Sequence, residues 1–203
     1  YTKGILERLE AFSLLLEKYP DLRGKVNFIQ VVVPSRTNVQ EYQEMKRTID
    51  ETVGRINGRF TYHDWVPIFY IYRSLSRREL IAYYRTSEIA LITPLKDGMN
   101  LIAKEYCASS VETDGVLILS EFAGAAQQLG KASLLVNPFN LEEVADRIYQ
   151  AYYMEEEERK SRMRKLRAEV RRNNIFRWIE QYLSALGMPL PPPHTTSSNS
   201  SSD

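Results

Sequence analysis

A chain of 203 residues with 43% hydrophobic and 26% charged residues has material for one large domain or two small ones with a real core, and is neither a disordered chain nor a disulfide scaffold. Its 27 Lys and Arg balance 26 Asp and Glu, a formal net charge of +1, so no broad field draws it to nucleic acid or anionic lipid. The single cysteine, Cys107, fits a reducing, cytoplasmic setting. His63 and His194 stand far apart without a Cys/His cluster, which excludes a structural zinc site, and no apolar run approaches the ~18 residues of a membrane span.

The chain opens at Tyr1 without the leader of a secretory signal, as a fragment would. Ile5, Leu9, Phe12 and Leu16 predict an amphipathic first helix. Residues 26–33 (VNFIQVVV) predict a strand, and 38–57 a helix with Val39, Tyr42, Met45, Ile49, Val53 and Ile56 on one stripe. A second strand is expected over 67–72, after which the capping box Ser76-Arg-Arg-Glu79 starts a helix to about Arg85. Residues 89–93 (IALIT) lack alternation, as in a strand covered on both faces. A helix over 100–108, a strand over 116–119 (VLIL), a short helix from about Phe122 and a strand over 133–136 (SLLV) follow. Asn140-Leu-Glu-Glu143 starts a helix to about Tyr153, and two more are expected over 156–172 and 175–186. Residues 187–203, rich in Pro and Ser, read as a disordered tail or linker. Alternating strands and helices with connections this long force parallel pairing, so the expected fold is a doubly wound parallel α/β sheet. Ligands of such sheets sit beyond the carboxyl ends of the strands.

The most informative stretch is Thr93-Pro-Leu-Lys-Asp-Gly-Met-Asn-Leu-Ile-Ala-Lys-Glu105. Pro94 stops a buried strand, Gly98 permits a tight turn with close backbone approach, and Asn100 can cap the next helix. The turn would aim N–H groups of residues 99–102 at a phosphate. Asp97 stands at the strand tip, within reach of a sugar hydroxyl, and Glu105 lies deep enough in the helix to accept both hydroxyls of a ribose. An ordinary Asp-Gly turn and a solvated Glu105 remain the alternative. Gly124 in Ser120-Glu-Phe-Ala-Gly-Ala-Ala126 suits either helix packing or close ligand approach. Lys3, at another helix start, can neutralise a diphosphate or simply be solvated.

Other chemistries lack their parts. G-x-G-x-x-G after a strand, G-x-x-x-x-G-K-[ST] and G-x-S-x-G are all missing, and Cys107 falls within a helix away from either histidine. The basic run 159–172, preceded by glutamates at 155–158, reads as a helix whose charges suit the macrodipole and i,i+4 pairing rather than as a nucleic-acid stripe. The aromatics of 65–73 read as core and sheet-surface residues.

In order, the stretches YTKG at Tyr1, VPSR at Val33, WVPI at Trp65, YRS at Tyr72, TPLKDGMNLIAKEY at Thr93, GVLILSEFAGAA at Gly115 and LLVNPFN at Leu134 resemble the C-terminal half of trehalose-6-phosphate synthases. These are retaining glycosyltransferases that join glucose from a nucleotide sugar to glucose 6-phosphate. The resemblance implies a GT-B enzyme of two Rossmann-like domains, with residues 1–186 as the donor-binding one. It implies that Lys3 contacts the donor diphosphate, that Asp97, Gly98, Met99, Asn100 and Leu101 hold the glucose and phosphates, and that Glu105 binds the ribose. Leu75 and Leu80 would line the uracil pocket, and Arg36 would bind the phosphate of glucose 6-phosphate. Lys3 and Asp97 are then the catalytic candidates, UDP-glucose is the co-substrate, and neither metal nor other cofactor is expected.

The family's pattern continues upstream through a strand and an arginine, and its N-terminal domain carries most acceptor contacts; none of these is in this chain. The strand belongs at the middle of the sheet, so the chain alone is expected to be unstable and inactive, with the N-terminal half as its partner. Self-association stays open. Glucosylglycerol-phosphate synthases, cyclitol-coupling pseudo-glycosyltransferases and a non-catalytic sensor subunit of a trehalose-synthesising complex are the alternatives.

Overall fold

The computed structural model describes residues 2–34, 39–112 and 114–188. Helix α1 (Ile5–Lys18) and a 3₁₀ turn at Pro20–Leu22 lead into β1 (Phe28–Val32), α2 (Gln40–Phe60), β2 (Ile68–Tyr72), α3 (Arg77–Thr86) and β3 (Ile89–Ile92). Then come α4 (Leu101–Ser109), β4 (Val116–Ser120), α5 (Ala126–Leu129), β5 (Leu134–Val136), α6 (Leu141–Tyr152), α7 (Glu156–Arg172) and α8 (Ile175–Ala185). The local signals act as expected. Ser76 Oγ accepts the Glu79 N–H while the Glu79 carboxylate accepts the Ser76 N–H at 2.8 Å, and Asn140 Oδ1 accepts the Glu143 N–H. Along α7, Arg162 pairs with Glu158, Lys160 with Glu156 and Arg172 with Glu169, the charge order that helix geometry favours.

Two expectations need correction. The short helix starts at Ala126 rather than near Phe122, because the Ser120 hydroxyl and carbonyl accept the N–H groups of Phe122 and Ala123 and hold a turn ahead of it. The 3₁₀ turn was not expected; Pro20 at its start supplies the fixed φ.

All strand pairs are parallel, but the strands form two sheets. In one, β1 pairs with β2 from Phe28 opposite Ile68 to Val32 opposite Tyr72. In the other, β4 lies between β3 and β5, with Leu91 opposite Ile118 and Ile118 opposite Leu134. The single doubly wound sheet is therefore interrupted: β1 and β3 do not pair, and no described strand lies between them. Helix α1 spans the interruption, packing on α6 and on α2 and burying Leu9, Ala11, Phe12, Leu15 and Leu16. One apolar cluster joins α1 and α2 to Ile68, Val116, Ile118 and Leu134. On the opposite face of β4, Leu117 and Leu119 meet Ala103, Tyr106, Cys107, Leu129, Met163 and Leu166, so helices cover both faces of the three-stranded sheet. Helix α8 has no buried residue, and Ile175, Phe176, Trp178 and Tyr182 are exposed on it.

Candidate functional site

The carboxyl ends of β3 and β4 support two loops that meet. After β3 the chain turns through Pro94 to Asn100, and the residues just ahead of α1 lie against it, with the Leu95 N–H donating to the Thr2 carbonyl at 2.9 Å. Gly4 has φ 61°, and a Cβ there would stand 2.1 Å from the Thr93 carbonyl oxygen. Only glycine permits both the left-handed backbone and the approach. This brings Lys3 Nζ to 2.8 Å from Asp97 Oδ2.

Asp97 organises its own loop. Its Oδ1 accepts the N–H groups of Met99 at 3.4 Å and Asn100 at 3.2 Å, and Oδ2 accepts Asn100 Nδ2 at 3.2 Å. Partial burial pushes this carboxyl up, but the Lys3 ammonium and the two N–H groups outweigh burial and hold it below the usual carboxylate range. Asn100 takes the left-handed conformation at φ 57° and caps α4 by accepting the Ala103 N–H at 3.0 Å.

The two glycines differ in the room that the protein leaves around them. Gly98 has no positive φ and has open space where a Cβ would stand. A Cβ on Gly124 would meet the Gly98 carbonyl oxygen at 2.0 Å, and the Gly124 N–H donates to the Asp97 carbonyl at 2.7 Å. Gly124 packs not on a helix, as one reading has it, but on the backbone of the Asp97 loop.

The N–H groups offered at the start of α4 are fewer than the sequence suggests. Met99 and Asn100 are turned onto Asp97 and Ala103 onto Asn100, leaving those of Leu101 and Ile102 without an acceptor among the described residues. Two free N–H groups stand at the start of a nine-residue helix, and Lys3 pairs with Asp97 on the loop that leads into it. That combination suits an anion.

Glu105 is exposed on α4, and its Oε2 accepts a hydrogen bond from Tyr84 Oη on α3 at 3.1 Å. Leu75 and Leu80 are half-buried at and within the start of α3, the helix that packs on α4. Arg73 bonds Glu79 at 2.8 Å, and this bond, followed by those from Ser76, lowers the Glu79 carboxyl to about 2. Lys3, Asp97, Gly98, Met99, Asn100 and Leu101 thus form one constellation, with Glu105 on α4, Leu80 on α3 and Leu75 just ahead of α3. Arg36 lies outside the described residues.

Sequence reasoning missed Tyr84 and Arg8. The Arg8 guanidinium is half-buried and donates to the carbonyls of Leu91 and Lys3, both at 3.2 Å, tying the Lys3 segment to β3. Burial brings it down to about 10. Neither residue had a local signal, since each acts across the fold. Cys107 is buried, which pushes its thiol up to about 12 and makes it a poor nucleophile. Among the described residues, no cluster of three His, Cys, Asp or Glu side chains is placed to hold a metal ion, and no helix is long and apolar enough to cross a membrane.

The model of one protein family, glycosyltransferase family 20, matches residues 1–188. The chain belongs to that family. This family 20 chain is 44% identical over 184 residues to the UDP-forming α,α-trehalose-phosphate synthase of Schizosaccharomyces pombe, covering 91% of itself and 34% of that protein. It is also 44% identical over 191 residues to the glucosylglycerol-phosphate synthase of Pseudomonas anguilliseptica, covering 93% of itself and 25% of that protein. Among solved structures, it superposes on the Escherichia coli trehalose-6-phosphate protein bound with UDP-2-fluoro glucose with a TM-score of 0.89 at 41% identity, covering 94% of itself and 42% of that chain. The chain therefore spans less than half the length of these relatives.

Proposed function

We propose that this chain is the donor-binding half of a retaining, metal-independent GT-B glucosyltransferase that moves glucose from UDP-glucose to glucose 6-phosphate, giving trehalose 6-phosphate and UDP in the cytoplasm. The observation that carries the reading is the pairing of Lys3 with Asp97 on the loop that leads to the free N–H groups of Leu101 and Ile102, with Glu105 farther along the same helix. That arrangement suits a diphosphate, and an exposed carboxylate one turn on suits the two hydroxyls of its ribose. Leu75 and Leu80 supply an apolar flank for the uracil, and the loop from Asp97 to Leu101 holds the glucose. Arg36 takes the acceptor phosphate.

Mechanistically, the demand is stabilisation of charge that develops on the departing diphosphate while the acceptor attacks from the same face of an oxocarbenium-like sugar. The departing phosphate oxygen takes the acceptor proton. Lys3 and the α4 N-terminus are fixed dipoles and charge aimed at that phosphate, set in place before reaction. Asp97 keeps Lys3 at the loop, and Gly124 lets the two loops close upon each other.

Residues 1–186 then form the donor domain and 187–203 the tail. The partner is the other half of the enzyme. The edges of β1 and β3 that have no partner strand among the described residues and the exposed apolar residues of α8 support this reading, because such edges and patches seek cover. A second reading, transfer to glycerol 3-phosphate, is supported by the equal identity to the P. anguilliseptica enzyme.

The experiment is UDP release from UDP-glucose by the full-length protein with glucose 6-phosphate, with glycerol 3-phosphate and without acceptor. Release that depends on glucose 6-phosphate and yields trehalose 6-phosphate upholds the main reading. Preference for glycerol 3-phosphate moves it to the second, and UDP binding without release moves it to a sensor or a cyclitol-coupling enzyme.

A further inference from the structure

An exposed glutamate on a helix ordinarily samples many rotamers, and a binding event that needs one of them must freeze it. Glu105 is already held. Its Oε2 accepts the Tyr84 hydroxyl at 3.1 Å, while Oε1 has no donor among the described residues. Tyr84 is itself held, since its half-buried ring packs at 81° to that of Tyr106 with centroids 6.4 Å apart. Tyr106 is 1% exposed and donates its hydroxyl to the carbonyls of Ser87 at 3.1 Å and Glu88 at 3.3 Å. A packed line therefore runs from the α3–β3 junction through two aromatic rings to one carboxylate. Burial, followed by the Glu105 charge, holds the Tyr84 hydroxyl far above its ordinary value, so it stays a donor at every physiological pH.

We propose that Tyr84 is a positioning residue for donor recognition, fixing the Glu105 carboxylate so that Oε1 and the remaining lone pair of Oε2 accept the 2′- and 3′-hydroxyls of the nucleotide ribose. This inference rests on the reading of Glu105 as the ribose acceptor. Tyr84 touches no substrate; it removes the cost of ordering the glutamate at binding and prevents the carboxylate from swinging into solvent.

The test compares UDP with 2′,3′-dideoxy-UDP by calorimetry on the full-length protein and its Tyr84→Phe, Glu105→Ala and doubly substituted variants. Tyr84→Phe is expected to weaken UDP about 3- to 10-fold, the factor that ordering one long side chain commands, and to leave dideoxy-UDP binding unchanged. In the Glu105→Ala background it should cost nothing further. In turnover, KM for UDP-glucose should rise by the same factor with kcat unchanged. Equal losses for both nucleotides in Tyr84→Phe would show a merely structural role and overturn the proposal, as would unaltered UDP affinity. If Glu105→Ala itself weakens the two nucleotides equally, the ribose reading fails first and takes this inference with it.

Discussion

Strands β1 and β4 are each five residues long, apolar and parallel to their neighbours, yet they sit in different surroundings. Every residue of β4, from Val116 to Ser120, is buried, because β3 and β5 flank it and helices cover both faces. In β1 only Gln30 is buried, and Ile29 is 39% exposed; one edge pairs with β2 and the other has no described strand. Hydrophobic composition makes a strand, but neighbours decide its burial. The candidate site follows the same division. The Asp97 loop and Gly124 rest on the three-stranded sheet, and Lys3 reaches them through backbone contacts to that sheet's loop.

The contrast can be broken most directly by truncation. Leu117→Ala in β4 should cost about 2–5 kcal/mol, with a cavity left behind, whereas Ile29→Ala in β1 should cost under about 1 kcal/mol. Urea unfolding midpoints of this 203-residue chain, in which β1 keeps its open edge, check this, and equal costs would mean that β1 is covered as thoroughly as β4. Next in size, Lys3→Ala should lower turnover about 100- to 1000-fold, the ~2.7–4 kcal/mol of a preorganised contact to developing charge; near-normal turnover would remove Lys3 from the site.

Gly124→Ala should destabilise by about 1–3 kcal/mol, since backbone and not a flexible side chain stands where the methyl would go. Gly54→Ala, in open space on α2, should instead gain about 0.4–1 kcal/mol. Thermal unfolding of the pair tests whether close packing is confined to the site half. The smallest effect concerns pH. Asp97 has a carboxyl lowered on folding, so its contribution is present above the unfolded value near ~3.9 and is lost as pH falls through the lower folded value. Removing Lys3 should raise the Asp97 value and begin that loss at higher pH, as a carboxyl NMR titration would show.

Much of this was legible in the chain. Periodicity located the strands and helices, the capping box at Ser76 and the Asn140 cap marked two helix starts, and the acidic-then-basic order of 155–172 identified a self-paired helix. The Asp97 loop stood out because strand, proline, glycine and asparagine follow in the order that a ligand turn needs. The division into two sheets was not legible in these residues, whose alternation of strands and helices predicts one parallel sheet. What stayed hidden were the relations between loops. Gly98 and Gly124 are indistinguishable as letters, and only the approach of the two loops shows that Gly124 is the one without room. The bond from Tyr84 to Glu105 crosses 21 residues and two helices, and Arg8 looks like any surface arginine until its guanidinium is found beneath the Lys3 segment.

The amino-acid sequence by itself determined most of the secondary structure, the parallel α/β class and the segment that bears the candidate site, because hydrophobic period, caps and turn residues act over a few positions. Tertiary structure alone decided which N–H groups remain free, which glycine is obligatory and which carboxylate is held. These depend on distances between segments remote in the chain, set by packing and not by any local preference.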